Sequence, residues 1–394
     1  MNYILFDDYS WQNLLPLTYT RPVSELRVGI LKIREKWEKM LKASTSFLTH
    51  SYLSDKFTLK TEKDNILLNG SVLPDEDLIR AIEQLEMGQV LCTEDIILAA
   101  RTDEVKNLPD GSCFEDFLNI QYDTEFIHIG YPWDIFKNNG HAILSDFKLI
   151  TSGRKSSKLS STNTLLEPEN IFVEEGASIE AVTLNARSGP IYIGKNSEIM
   201  EGSAVRGPFA LCEHSKIKLN AKIYGPTTIG PESKVGGEIN NSVIIGFSNK
   251  SHDGFLGNSV IGEWCNIGAD TNNSNLKNNY AEVKMWNYTQ EKFISTGLLF
   301  CGMIMGDHSK CGINTMFNTG TVVGVSANIF GDGFPRNFIP SFSWGGPQGF
   351  TEFKIDKAFE VATEVMIRRD IEFNDIEKGI LQSVFEMTRD YRQY

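Results

Sequence analysis

No stretch of the chain approaches the 18 or so consecutive apolar residues of a membrane-spanning helix. The nearest, Leu298 to Met305, is broken by Gly302 and ends at Gly306-Asp307. Positive charge is also short. The 38 Lys+Arg stand against 51 Asp+Glu, for a net charge of -13, which argues against nucleic acid and anionic membrane as partners. A local basic pocket for a phosphate stays compatible with that balance. The first ten residues, MNYILFDDYS, are acidic where a secretory signal is basic, so no export signal is expected. The six cysteines (Cys92, Cys113, Cys212, Cys265, Cys301 and Cys311) contain no Cys-x-x-Cys pair and read as reduced and mostly buried. No two histidines share the i, i+4 spacing of a helical metal site, which disfavours a β-helix metal enzyme. The expectation is a soluble, cytoplasmic protein whose 394 residues form more than one domain.

What the chain does have is a period of six. Ile193, Ile199, Val205, Leu211, Ile217, Ile223, Ile229 and Val235 follow one another at that step, and all are branched aliphatics. Four residues after each of the first seven comes a small one (Ser197, Ser203, Ser215, Ala221, Thr227, Ser233), with Phe209 as the exception. A second ladder reads Phe293, Leu299, Met305, Cys311, Phe317, Val323 and Ile329. Helices repeat near 3.6 residues and strands near 2, so six means one short strand plus one turn, with one inward side chain per face. Three such faces make a triangular coil, and stacked coils make a parallel β-helix. An irregular β-sandwich with accidental spacing is the weaker alternative. The period falters over Asn240 to Gly257 and Ala269 to Thr296, which read as insertions. Insertions on a solenoid map to loops on one face, often the binding face.

The flanks differ. Residues 1–155 alternate strands (Asn2 to Phe6, Ile66 to Leu68, Val90 to Cys92, Ile96 to Ala99, Phe126 to Ile129) with helices (Val28 to Leu41, Asp75 to Glu86), the pattern of an α/β domain. A Ser-, Lys- and Thr-rich linker follows over Thr151 to Asn163. The solenoid is expected over 156–340, and a cap of two helices over 341–394, where Phe359, Val361, Ala362, Val365 and Met366, then Ile376, Ile380, Leu381 and Val384, keep helical spacing.

Residues 250–262 (KSHDGFLGNSVIG), 266–271 (NIGADT) and 275–277 (NLK) resemble the acetyltransferase domain of GlmU-type bifunctional enzymes. Val283-Lys284, Thr296-Gly297, residues 302–307 (GMIMGD) and 312–314 (GIN) bring the chain closer still to archaeal-type sugar-1-phosphate nucleotidylyltransferase/acetyltransferases. At the other end, residues 14–18 (LLPLT) with Thr20-Arg21-Pro22, residues 67–71 (LLNGS) and Pro132-Trp133-Asp134 are similar to stretches of sugar nucleotidyltransferases. The resemblance implies a nucleotidyltransferase-like α/β domain joined to a left-handed parallel β-helix. It implies a homotrimer that binds acetyl-CoA between neighbouring solenoids.

The same resemblance assigns roles. His252 stands at the family's catalytic histidine, a base suited to taking a proton from an amine near neutral pH. Asn266 and Asn275 would fix the sugar, unless they are rungs of an internal asparagine ladder. Lys284 matches a phosphate-side lysine and Lys277 stands where relatives carry arginine; for both, a solvated surface lysine is the plain alternative. Ala269 is the small residue beside which acetyl-CoA lies. His308 is a CoA contact or a structural residue. Phe255 replaces a tyrosine that touches substrate, which opens the identity of the acceptor sugar. In the N-terminal domain the family's glycine-rich phosphate loop is replaced by residues 8–13 (DYSWQN), which hold no glycine. Val23 replaces a lysine and Ser71 the aspartate that holds Mg²⁺. Asp7 and Asp8 are substitute carboxylates, and Arg21 is the candidate phosphate contact, or else the partner of Asp7 or Glu25. The leading expectation is acetyl transfer to an amino-sugar 1-phosphate such as glucosamine 1-phosphate, coupled to uridylyl transfer from UTP giving UDP-N-acetylglucosamine. The alternatives are a sugar-1-phosphate nucleotidyltransferase (uridylyl or thymidylyl) with the β-helix as oligomerisation scaffold, and a non-catalytic trimer that binds a sugar nucleotide.

Overall fold

The computed structural model describes residues 1–105, 114 and 116–393; Cys113 lies outside them. The chain divides into two compact units. The first comprises residues 1–26 and 31–134, the second residues 27–30 and 135–394.

The first unit is built on a six-stranded sheet ordered Thr45–Leu48, Asn2–Phe6, Asn65–Asn69, Ile97–Thr102, Gln89–Cys92, Leu118–Gln121. The first three are parallel, and Ile97–Thr102 runs antiparallel to both its neighbours. Asn2–Phe6 and Asn65–Asn69 are almost wholly buried and apolar in their middles, as central strands covered on both faces must be. The helix Glu76–Glu83 is started by Asp75, whose carboxylate accepts from the Leu78 amide at 2.8 Å. The last expected strand is peripheral: Ile127–His128 pairs with Val72–Leu73, outside the main sheet.

The helix expected from Val28 begins only at Ile33. Residues 27–30 are instead bound into the second unit. The Gly29 and Ile30 amides donate to Asn139 Oδ1 and Asp146 Oδ2, both at 2.8 Å, and Arg27 Nε donates to the Ile245 carbonyl at 3.2 Å. Gly29 has φ +84°, and a Cβ there would collide with Ala142 and Asp146, so no helix can pass through it. Asn139 and Asp146 belong to the helix Pro132–Thr151, most of which therefore folds with the second unit rather than with the expected N-terminal domain.

In the second unit three parallel sheets run along a triangular solenoid. The first face has nine strands from Ile171–Val173 to Phe338–Ile339, and the second ten from Ser178–Ile179 to Gly349–Glu352. The third has six, from Thr164–Leu166 to Phe255–Gly257, continued by Asn272–Asn273 paired with Met316–Phe317. The first ladder is the interior. Ile193, Leu211 and Ile229 are in register on one face, Ile199, Ile217 and Val235 on the next, Val205 and Ile223 on the third, all at most 2% exposed. The small residues tie coil to coil: Ser215 Oγ donates to the Gly230 carbonyl at 2.7 Å and accepts from the Ser233 amide at 3.2 Å.

The second ladder holds only from Met305. Phe293 and Leu299 are 41% and 45% exposed, because the chain leaves the solenoid after Asn273 and forms an antiparallel hairpin, Lys284–Asn287 with Lys292–Ser295. The expected first insertion is not one. Ile239, Ile244, Leu256, Ile261 and Ile267 remain buried inward residues, with turns shortened by one or two residues. The last parallel strand of the solenoid, Ser343–Gly346, also lies past the expected boundary at 340, and Gly349–Glu352 folds back antiparallel to it. The helices Ile355–Ile367 and Asp375–Met387 do more than cover the last coil. Phe385 packs on Phe342 there, but Phe373 reaches His308 and Arg369 reaches the Glu232 carbonyl, so this segment runs along a corner of the solenoid. Among the described residues, no helix is long and apolar enough to cross a membrane.

Candidate active site

His252 lies in the turn 251–254 between a second-face strand, Asn249–Lys250, and a third-face strand, Phe255–Gly257. Its side chain is exposed, while its backbone is held from above and below. The Glu238 amide donates to the Gly254 carbonyl at 3.2 Å and the Asp270 amide to the Asp253 carbonyl at 3.0 Å. The turn has little room, since a Cβ on Gly237 would lie 2.8 Å from Asp253 Cα. One coil below, Asn266 is exposed on the second face, in register with Asn249, and Ala269 is half-buried in the following corner, where its carbonyl accepts from Asn314.

Phe255 and Asn275 come together over Gly257, whose missing Cβ leaves the space that both side chains occupy. Asn275 is no rung of an internal ladder; its Nδ2 donates to Asn258 Oδ1 at 2.8 Å. The internal asparagine is Asn273, 3% exposed, which bonds the Gly257 amide and carbonyl. At the far end of the third face the excursion encloses a groove of about 580 Å³. It is lined by Lys277, Lys284, Trp286, Thr319, Arg336 and Phe338, among others. Trp286 stacks on Phe338 with ring centroids 4.3 Å apart. Three cations around an aromatic floor suit a phosphate attached to a ring-bearing or apolar group. Lys277 Nζ also donates to the Glu282 carbonyl, 2.8 Å away. Sequence reasoning missed Arg336, Trp286 and Phe338, which belong to no motif and meet only in space.

His308 lies elsewhere. It is 8% exposed in a corner column, stacked on Trp264 (6.3 Å, 16°), which in turn stacks on Phe247 (4.4 Å). That is a packing position, with Phe373 meeting the ring edge-on.

In the first unit Asp7, Arg21 and Ser71 are buried and Asp8 is half-buried, and each is bonded to neighbouring residues. Asp7 is 4% exposed; it accepts from the Val23 amide at 2.8 Å and from Thr49 Oγ1 at 2.5 Å. Burial pushes its carboxyl up to about 7 despite those bonds. Asp8 accepts from the Ser10 amide and from Asn69 Nδ2, both at 2.9 Å. Ser71 is 1% exposed and donates to Asn69 Oδ1. Arg21 is 4% exposed beside Thr20. Glu25, its other suggested partner, is taken by Lys32 at 2.8 Å and by Arg34. Ser10 Oγ lies 2.9 Å from His128 Nε2. A hard Mg²⁺ ion needs several outward carboxylate oxygens. With Asp7 turned inward and Ser71 bearing no carboxylate, this donor set does not fit one. Among the described residues there is no group of three or more His, Cys, Asp or Glu able to hold a metal.

Residues 3–155 match the family model described as sugar nucleotidyl transferase. Over 272 residues the chain is 29% identical to a bifunctional sugar-1-phosphate nucleotidylyltransferase/acetyltransferase of Sulfurisphaera tokodaii, covering 68% of this chain and 58% of that protein. The bifunctional protein GlmU of Methanococcus aeolicus is 28% identical over 284 residues, covering 68% and 57%. The chain is similar to GlmU-type bifunctional proteins. It spans less than two thirds of the length of either relative. Among solved structures, a UDP-N-acetylglucosamine acyltransferase from Campylobacter jejuni aligns with 59% of this chain and 83% of its own, at 14% identity and a TM-score of 0.29. The β-helix assignment stands on the coils described above.

Proposed function

We propose that the GlmU-like solenoid transfers acetyl from acetyl-CoA to the amine of an amino-sugar 1-phosphate, with glucosamine 1-phosphate as the reference acceptor. The observation that carries this reading is His252: an exposed imidazole on a turn whose backbone is fixed to the coils on both sides. In the step, the neutral amine attacks the thioester carbonyl and His252 accepts the proton. The C–S bond then breaks, and the departing thiolate takes that proton from the imidazolium, so that CoA leaves as its thiol and the imidazole is restored. Phe255 and Asn275 would flank the sugar. Asn266 would help to fix the sugar, Lys277, Lys284 and Arg336 would hold a phosphate, and Ala269 would line the acetyl-CoA side.

His252 and the cationic groove lie at opposite ends of the third face. That separation supports a site completed between copies of the chain, and hence a homotrimer. Leu299, Phe300, Ile313 and Met316 are exposed apolar residues available for such a contact. The test is incubation of purified protein with acetyl-CoA and a panel of amino-sugar 1-phosphates, following free thiol. Sedimentation should give about three times the 44.2 kDa chain mass. No thiol release with any acceptor, or a monomer at micromolar concentration, would count against the respective half of the reading.

The family match favours a second activity, conversion of the acetylated sugar 1-phosphate and UTP to UDP-N-acetylglucosamine in the N-terminal unit. The inward Asp7 and the absent carboxylate at Ser71 weigh against its magnesium-dependent form. Pyrophosphate release from UTP plus sugar 1-phosphate tests it. Absence of both activities, with binding of a sugar nucleotide retained, would leave the non-catalytic reading.

A further inference from the structure

One position in the solenoid interior breaks its own chemistry. Inward residues above and below are Val235 and Ile267, yet the residue in register with Val235 is Lys250, 2% exposed. Its methylene stem fills the space an aliphatic would take, and its ammonium emerges at the inner side of the corner. There Nζ donates to the carbonyls of His252 at 2.7 Å, Gly236 at 3.1 Å and Asp253 at 3.4 Å. Desolvating an ammonium is expensive, and packing alone calls for valine or isoleucine here. The bonds that offset the cost go to the turn bearing the exposed histidine and to the coil above it. Burial lowers the Lys250 pKa to about 8, against the opposing pull of Asp253, Cys311 and Asp270.

We propose that Lys250 is a positioning residue for His252: from inside the solenoid its ammonium clamps the carbonyls of the 252–253 turn to the Gly236 carbonyl, and so fixes where the imidazole stands outside. The catalytic half of this proposal rests on the role of His252 argued above; the clamp does not.

The experiment compares wild type with Lys250→Met, which keeps the length of the stem and suits an apolar ladder. Two quantities are read. The first is hydrogen exchange of the Glu238 and Asp270 amides, which bond the Gly254 and Asp253 carbonyls of the turn. The second is the kcat and KM of acetyl transfer. The expected result is retained folding with exchange at those two amides faster by about tenfold or more, as for loss of charge-assisted bonds. The kcat should fall by roughly 10²-fold with the KM for acetyl-CoA unchanged, as for a displaced catalytic group. Exchange within twofold of wild type overturns the clamp. Faster exchange with an unchanged kcat overturns the positioning of His252. If wild type releases no thiol with any acceptor, the acetyl-transfer reading and the catalytic half fall together, while exchange still decides the clamp. Should Lys250→Met fail to fold, Lys250→Leu, which likewise removes the donor and matches the aliphatic residues of the ladder, is read in the same way.

Discussion

In the N-terminal unit, Asp7 accepts from Val23 and Thr49, Asp8 from Ser10 and Asn69, and Ser71 donates to Asn69. In the solenoid, the side chains of His252, Asn266 and Lys284 are exposed, and the bonds that hold their neighbourhood are made by backbone and by Lys250. Both regions carry residues at positions where a family resemblance expects chemistry. In the first, the polar atoms are consumed in holding a loop without glycine in place. In the second, the scaffold satisfies itself and leaves the candidate groups facing outward. A residue at a motif position is therefore a stronger candidate when its surroundings are satisfied without it.

The sharpest test of that contrast is His252→Asn. Asparagine keeps a polar group of similar reach but cannot act as the base, so acetyl transfer should fall by roughly 10²–10⁴-fold with folding and oligomeric state intact. The loss should fall on kcat rather than on acetyl-CoA affinity. Activity within a few-fold of wild type would remove His252 from the mechanism and erase the contrast on the solenoid side.

How much was legible in the sequence follows from how each region repeats. Residues such as Ile193, Leu211 and Ile229 report the fold directly, because a solenoid interior samples the chain at a fixed step. Phe293 and Leu299 keep that step by coincidence, the first on a hairpin whose true alternation is two and the second in the segment after it, and only the antiparallel pairing of Trp286 with Phe293 separates the cases. Lys250 and Asn273 were unreadable for the opposite reason: polar residues at inward positions look like loss of period. Ile244, Lys250 and Leu256 do keep the six-residue step straight across the lysine, a signal that a search restricted to aliphatics passes over. His252 was found through its motif. Arg336 had no signal, because its groove exists only once the excursion folds back.

The N-terminal side is tested by Asp7→Asn. A carboxyl whose folded pKa is raised to about 7 stabilises the fold fully only below its unfolded value near 3.8, and that contribution is lost as pH rises through 7. Wild type should therefore gain roughly 1–2 kcal/mol relative to Asp7→Asn on going from pH 7 to pH 5. The difference between the two proteins is the quantity to measure by denaturant unfolding. His50 and His128, both held below the usual histidine value by burial, oppose the trend in each and cancel. Asp7→Asn should also leave any pyrophosphate release within about threefold of wild type, an ordinary margin for a residue that does not touch the reacting atoms. A loss of two orders of magnitude would make Asp7 a participant and overturn its assignment to structure.

The smallest effect is expected at the groove, where the cations are exposed and solvent competes for them. Lys284→Ala and Arg336→Ala should each raise the KM for the sugar 1-phosphate by roughly five- to tenfold, about what one solvent-accessible charge-assisted contact contributes. The kcat should be unchanged, because the phosphate takes no part in the bonds made and broken and is bound alike in ground and transition states. Raising ionic strength should shrink the difference between wild type and either variant, since exposed charges are screened within about 8 Å at physiological salt. Lys277→Ala should do less than either, because Lys277 already donates to the Glu282 carbonyl. Were the KM for acetyl-CoA to rise instead, the groove would hold the phosphates of the cofactor. The solenoid would then present its two substrates in the reverse order along the third face.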